Sequence, residues 1–434
     1  MTLTRFAPSP TGLLHVGNLR IAVVNALAAR AAGGRFALRF DDTDPSRSEP
    51  RFAEAIRADL RWLGLAWDME FAQSARLDRY AAAADALRAA GRLYPCWETA
   101  EQLDLRRRLL RAQGRPPVYD RAALALSDAE RARLSAERPP HWRFRLEDRA
   151  MTWDDAVLGL QRIEAASVSD PVLVREDGVP LYTLASVVDD AETGVTDVVR
   201  GADHVTNTAV QIQIFEALGA APPRFGHLSM LTGPGGSKLS KREGALSAAD
   251  LRGMGVEPAA LVAFLARLGT RHDIGLADVE TLAAAFDLGA FGAAPVAFDL
   301  DQLLRLSAQA VRSMTFSDIA PRLAALGVAG PRAAAFWDAV RPNLDRLEDA
   351  ADWWALVRDP QGAVAAEDAD FVAQAIALLP PRPWDEGTWR AWTDAVKAAS
   401  GRKGRALFLP LRRALTGRDH GPDMAALMPL LEKP

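Results

Sequence analysis

The stretch from Arg5 to Arg30, RFAPSPTGLLHVGNLRIAVVNALAAR, constrains this 434-residue chain more than any other. It opens as a predicted strand, Thr2 to Ala7, breaks at Pro8 and Pro10, turns at Thr11-Gly12 and enters an amphipathic helix. Val16, Leu19, Val23 and Leu27 recur at spacings of three and four, which puts them on one helix face. A strand that feeds a helix through a Pro/Gly turn presents backbone N–H groups and a helix dipole to a phosphate. His15 and Asn18 then lie at the helix entrance, where such a ligand would sit. The same opening also occurs in α/β domains that bind no nucleotide, so alone it leaves both readings open.

A second predicted strand, Arg35 to Phe40, ends in Asp41-Asp42-Thr43-Asp44-Pro45. Strand, helix and strand in about forty residues make a right-handed parallel crossover, with the acidic cluster at the strand's carboxyl end. Open α/β sheets bind ligands there. The alternative for the cluster is an Asx-type turn capping the helix predicted from Pro50 to Leu63, through Asp44 or Ser48. Leu77 to Ala90 reads as a further helix. The pattern then becomes irregular, with a basic helix from Glu101 to Arg111 and strands or hairpins at Trp142 to Leu146 and Thr152 to Glu164. Residues 81–183 are therefore expected to be inserted into the sheet domain. The sheet resumes with predicted strands at Val172 to Val174, Tyr182 to Val188 and Thr196 to Val199, and Asp189-Asp190 marks a strand end. Gly201-Ala202-Asp203-His204 leads into a helix with Thr206 or Asn207 as N-cap. The segment GPGGSKLSKR, Gly233 to Arg242, lacks Walker A spacing, yet glycines followed by lysines suit a clamp on phosphates as well as an exposed basic turn. Beyond Leu246 the chain reads as successive helices carrying six of its 11 tryptophans, which are expected to pack a core.

Length implies roughly two to four domains. A hydrophobic share of 49% and a charged share of 25% fit a globular protein, and neither a leader peptide nor a membrane span is read. The single cysteine, Cys96, excludes an intramolecular disulfide and a cysteine-rich zinc site, and a cytoplasmic protein is expected. A net charge of −4 excludes a uniformly basic nucleic-acid binder but leaves room for local basic faces. Two clusters qualify: Arg106, Arg107, Arg108 and Arg111, and, near the C-terminus, Arg402, Arg405 and Arg412. Each by itself reads equally as a solvated face.

The order of these pieces carries more than any one of them. HVGN at 15–18, LYTLASVVDD, VVRGADHVTNT, SKLSKREG and the closing GRKGRALFLPLRRALTGRDHGP follow one another ahead of a helical C-terminal half. With RFAPSPTG and DDTDPSRS, this order resembles the class I aminoacyl-tRNA synthetases, and specifically the bacterial glutamyl-tRNA synthetases, over essentially the whole chain. The resemblance implies a Rossmann-like parallel-sheet catalytic domain in two halves (1–80 and 184–222), an inserted acceptor-binding domain (81–183) and a stem-contact region with a KMSKS-like loop (223–308). An all-helical anticodon-binding region (309–434) would follow. It further implies the substrates L-glutamate, ATP with Mg²⁺, and tRNA(Glu), with tRNA(Gln) left open as a second acceptor. A monomer is expected.

The resemblance also assigns positions. HVGN matches the HIGH signature, so His15, Gly17 and Asn18 would serve catalysis beside ATP, and Lys241 of LSKR would hold the departing pyrophosphate. Thr11, Asp203, Lys238 and Ser240 would complete the ATP site. Arg5, Ala7, Ser9, Asp41, Tyr182 and Arg200 match the glutamate pocket, with Arg5 meeting the γ-carboxylate and Asp41 the ammonium group. Asp41 and Asp203 stand where relatives often have glutamate. Some relatives bind structural zinc through cysteines in the insertion; here no structural zinc is expected. The chemistry agrees with these roles, because joining a carboxylate to the α-phosphate of ATP brings anions together and needs cations and aligned N–H dipoles. No side-chain nucleophile is needed, and neither HExxH nor GxSxG occurs. Three rivals are an enzyme that modifies a tRNA base with glutamate, a non-catalytic paralogue that binds tRNA or protein, and an unrelated nucleotide-binding α/β protein.

Overall fold

A computed structural model of the chain describes residues 1–236 and 246–432. The chain forms two compact units: Met1–Leu251 with Leu261–Asp299, and Arg252–Ala260 with Leu300–Pro434. No helix among the described residues is long and apolar enough to cross a membrane.

The first unit is built on a mixed sheet. Its strands are β1 (Leu3–Phe6), β2 (Arg35–Phe40), β3 (Met69–Ala72), β4 (Leu93–Cys96), β5 (His141–Phe144), β6 (Ala150–Asp155), β7 (Gly159–Glu164), β8 (Val172–Val174), β9 (Asp197–Gly201) and β10 (Arg224–Leu228). Its principal helices are α1 (Val16–Ala31), α2 (Pro50–Trp62), α3 (Leu77–Ala89), α4 (Ala100–Ala112), α5 (Asp128–Glu137), α6 (Tyr182–Thr193) and α7 (Val205–Ala217). Seven strands pair in the order β3-β2-β1-β9-β10-β6-β7, parallel except for β6–β7, while β4, β5 and β8 form a separate antiparallel sheet. All of β1 and five of six residues of β2 are buried, as expected for parallel strands covered on both faces. The order reverses between β1 and β9, which opens a crevice at their carboxyl ends. The hairpin β6–β7 comes from the stretch expected as an insertion, yet β6 pairs with β10 of the main sheet.

Three local expectations are corrected. Tyr182 to Val188 is not a strand but most of α6, and Asp189 and Asp190 lie inside that helix. An apolar run of this length does not distinguish strand from buried helix; the spacing of Leu184, Val187 and Val188 and a left-handed Gly194 at the helix end were the helical signals. The helix after β9 starts at Val205 with His204 in the N-cap position, ahead of Thr206 and Asn207. Neither Asp44 nor Ser48 caps α2: Glu49 occupies its N-cap without a side-chain bond, and Asp44 instead accepts from the Ser46 N–H and hydroxyl at 3.1 and 2.6 Å. Pro50 at the first helical position removes one N–H that would otherwise need a partner.

The second unit is helical, including Leu300–Ser313, Phe316–Ala325, Ala333–Val340, Asp349–Arg358, Ala369–Ala377, Thr388–Ser400 and Arg405–Thr416. Trp337, Trp354, Trp384 and Trp392 are buried in its core, and Trp353 and Trp389 pack against it. The indole N–H groups of Trp392 and Trp337 donate to the carbonyls of Ala375 and Met314 at 2.7 and 3.0 Å. Core packing, rather than base stacking, therefore accounts for these rings.

Candidate active site

The crevice between β1 and β9 holds a cavity of about 520 Å³. Ten expected site residues line it: Arg5, Ala7, Ser9, His15, Gly17, Asn18, Asp41, Tyr182, Arg200 and Asp203. Thr11 does not; it lies in the turn, its N–H donating to the Ser9 carbonyl at 2.8 Å. Lys238, Ser240 and Lys241 lie outside the described residues. Leu246, just beyond them, accepts from the Val16 N–H at 3.1 Å, and Ala248 donates to Leu14 at 3.0 Å. The chain that leaves the lysine segment is thus fastened to the start of α1.

His15 is the N-cap of α1, and its Nδ1 accepts the Gly17 N–H at 3.1 Å. Neutral imidazole that accepts at Nδ1 carries its proton on Nε2. Asn18 returns the favour by accepting the His15 N–H at 3.3 Å, completing a capping box. A Cβ at Gly17 would stand 2.9 and 3.0 Å from the His15 ring, so this contact demands glycine. Arg20, one turn further on, is buried and donates to the Ser229 and Leu268 carbonyls at 2.7 and 3.0 Å; burial lowers its pKa to about 10.

Beneath the amino-terminal end of the cavity lies a buried ion network. Asp190 grips Arg5 at Nε and Nη2 (3.2 to 3.4 Å) and accepts from Arg39 Nη1 at 2.8 Å. Arg39, 1% exposed, also donates to both Asp41 oxygens at 2.6 and 3.2 Å. Against the cost of burial, Asp41 and Asp190 hold Arg39 protonated, and despite burial Arg5 and Arg39 hold the Asp190 carboxyl below its ordinary value. Burial pushes the Asp41 carboxyl up, opposed by Arg39. Asp189 takes Arg76 at 2.7 Å, Tyr80 and Gln73. Charges this deep persist only when paired. Arg39 and Asp190 were not anticipated from the sequence, although an arginine in each of two buried strands was a signal.

On the other wall, buried Arg200 donates from Nη1 to the Tyr182 hydroxyl (3.0 Å) and from Nη2 to Thr208 (2.5 Å) and Gln211 (2.7 Å). Its Nε faces His227 Nε2 at 3.3 Å. A guanidinium has five N–H donors, so these bonds leave one, on Nη1. Burial lowers the pKa of Arg200, and burial together with Arg200 lowers that of His204, which keeps its ring neutral.

The basic clusters separate. Arg106, Arg107, Arg108 and Arg111 are exposed on α4, a helix with no buried residue, where Arg106 pairs with Asp120 at 3.0 Å and Arg108 with Asp104 at 2.8 Å. Arg402 is spent on Asp368 at 2.6 Å and on the Phe371 ring, and Arg412 on the Pro422 carbonyl at 2.9 Å, whereas Arg405 is exposed. In the antiparallel sheet region, donor atoms of Cys96, Glu98 and His141 lie within 4.8 Å of one another. Glu98 Oε2 and His141 Nε2 are buried without a hydrogen-bond partner, while the other Glu98 oxygen accepts from Tyr119 at 2.6 Å.

Residues 1–304 match the family described as tRNA synthetases class I (E and Q), catalytic domain, and residues 307–434 match the anticodon binding domain family. The chain is 56% identical to glutamate–tRNA ligase 1 of Roseobacter denitrificans, covering 100% of this chain and 99% of that one. It is 57% identical to glutamate–tRNA ligase 2 of Dinoroseobacter shibae, with the same coverage of each. A crystal structure of a glutamate tRNA ligase from Elizabethkingia meningosepticum in complex with its amino acid superposes with a TM-score of 0.87 at 25% identity, over 99% of this chain and 96% of that one. The chain belongs to the class I tRNA synthetase family of the glutamate and glutamine type.

Proposed function

We propose that this chain is a glutamate–tRNA ligase that forms glutamyl-adenylate and diphosphate from L-glutamate and ATP, then passes glutamate to the terminal adenosine of tRNA(Glu). One observation carries the reading: a single crevice joins a cationic wall, Arg5, Arg200 and Tyr182, to the capped start of α1 at His15 and Gly17. Arg5 keeps Nη1 outside the Asp190 grip, which suits it to the γ-carboxylate, and Arg200 keeps one Nη1 donor beside Tyr182. Arg forks held this firmly distinguish a carboxylate from an amide by charge and by geometry. Asp41 and Ser9 face the ammonium group, with Arg39 setting the Asp41 carboxylate.

ATP enters as its Mg²⁺ complex. The Nε2–H of His15 and the first N–H groups of α1 meet its phosphates, with Asp203 near the nucleoside, and Lys238, Ser240 and Lys241 complete the ATP site, Lys241 holding the departing diphosphate. The glutamate carboxylate attacks the α-phosphate, the bond to the β-phosphate oxygen breaks, and diphosphate leaves against these cations. A ribose hydroxyl of the tRNA end then attacks the acyl carbon and AMP leaves. The protein's contribution is placement and charge stabilisation rather than covalent catalysis.

Residues 1–80 with 184–222 serve as the catalytic domain, 81–183 as the acceptor-binding insertion, 223–308 as the stem-contact region and 309–434 as the anticodon-binding region. Arg107, Arg111 and Arg405 are the better RNA contacts in their clusters, because the others are engaged within the protein. The chain acts as a monomer in the cytoplasm. Structural zinc is not required: among the described residues Cys96, Glu98 and His141 supply three donors, one short of a closed tetrahedral site, and Tyr119 ties Glu98 down. Stoichiometric zinc in purified protein, lost in Cys96→Ala, would refute that point.

The decisive experiment supplies purified protein with glutamate, ATP, Mg²⁺ and each of tRNA(Glu) and tRNA(Gln). Glutamylated tRNA(Glu) is expected, and Lys241→Ala should lose nearly all charging. No charging of either tRNA, with Lys241→Ala like wild type, would sink the reading; the tRNA(Gln) arm fixes the acceptor range.

A further inference from the structure

We propose that Asp155 and His227 form a positioning dyad that sets the Arg200 guanidinium in the amino-acid pocket. The proposal rests on the glutamate-pocket reading above. His227 lies on β10 and Asp155 at the end of β6, and both are buried. His227 Nδ1 meets Asp155 Oδ2 at 2.5 Å, while its Nε2 lies 3.3 Å from Arg200 Nε and 2.9 Å from the Thr208 hydroxyl. Arg200 Nε–H can only donate, so His227 Nε2 must be a bare lone pair and the ring proton must sit on Nδ1, toward Asp155.

Asp155 is fixed in turn. Its Oδ1 accepts the backbone N–H groups of His227, Val157 and Leu158 at 3.1, 3.1 and 3.0 Å, and its Oδ2 accepts from the Trp153 indole at 3.3 Å. Despite burial, the bond to the His227 ring and the N–H groups of Leu158 and His227 hold its carboxyl at about 2, so it remains an acceptor. The Thr208 hydroxyl closes the set: it accepts from Arg200 Nη2 and can donate to the same His227 lone pair. The guanidinium plane is therefore fixed along its Nε edge by His227 and at Nη2 by Thr208 and Gln211. The remaining Nη1 donor has a fixed direction only while His227 keeps this tautomer. Loss of Asp155 allows the other tautomer, whose Nε2–H would confront the Arg200 Nε–H. His227 touches none of the proposed reacting atoms and acts through Arg200.

Steady-state charging by the full chain tests this. Asp155→Asn and His227→Asn are expected to raise KM for glutamate by roughly tenfold, the cost of a misaligned charge-assisted hydrogen bond. KM for ATP and kcat at saturating glutamate should stay within about twofold of wild type, since neither residue faces the phosphates. His227→Gln places an amide oxygen where Nε2 was and should recover most of the glutamate affinity. Arg200→Lys is run alongside. If it leaves the glutamate KM unchanged, the pocket assignment fails; if it raises that KM while the dyad variants do not, only the dyad fails. Equal rises for glutamate and ATP would also overturn the dyad. Nitrogen NMR of histidine-labelled wild-type protein needs no variant to fold: an Nδ1–H tautomer at His227 is expected, and an Nε2–H tautomer or a charged ring refutes the proposal.

Discussion

Gly17 and Asn18 show how much a single position can carry. In sequence, HVGN matches the HIGH signature and sets Asn18 beside ATP; in the structure, Asn18 is the reciprocal half of the cap that His15 begins. Gly17 has a stricter reason, because a methyl group there would press on the His15 ring at 2.9 Å. Gly17→Ala is expected to displace that ring and raise KM for ATP by about tenfold, with a loss of about 1 kcal/mol in stability from the damaged cap. Charging kinetics with varied ATP and a urea titration check both; a wild-type ATP KM would detach His15 from the nucleotide. Asp41 shows the opposite lesson. Its place at the strand end was legible, but its bidentate partner Arg39 was not, since nothing local in RFALRFDD says that the penultimate strand residue turns back on the acid.

Among the elements, α1, β1 and β2 were readable because each carries its own period or its own run of buried side chains. Helix α6 was not. LYTLASVVDD fits a strand pattern locally as well as a helical one, and packing against α3 and α7, with Asp189 and Asp190 turned into the ion network, decides between them. Helix α4 lacks a buried residue altogether and exposes Leu105 and Leu109 with its arginines. Such a helix, with no buried residue and with arginines on its exposed surface, fits a face that meets a large anionic partner. Arg107→Glu with Arg111→Glu should weaken tRNA binding and lower the slope of log affinity against log salt by roughly 1 to 2. Filter binding over a salt series measures it; an unaltered slope would remove α4 from the RNA surface.

For the whole molecule, two compact units with separate cores imply two unfolding transitions unless their stabilities coincide. Trp392 is fully buried and its indole N–H is bonded to Ala375, so Trp392→Ala should cost the helical unit about 3–5 kcal/mol. Urea unfolding followed at several tryptophans should show one transition moving while the other holds; equal movement of both would mean that the units unfold as one. The sequence by itself determined the order of motifs and the α/β-then-helical architecture, because turns, periodicity and motif spacing are local properties that the chain carries wherever it folds; the family resemblance borne by those motifs then assigned ten residues that line the crevice. Tertiary structure alone decided the paired charges Arg5–Asp190–Arg39–Asp41 and the Asp155–His227–Arg200 line. Residues up to 185 positions apart meet there, and whether a buried charge is tolerable depends on the partner that burial brings to it.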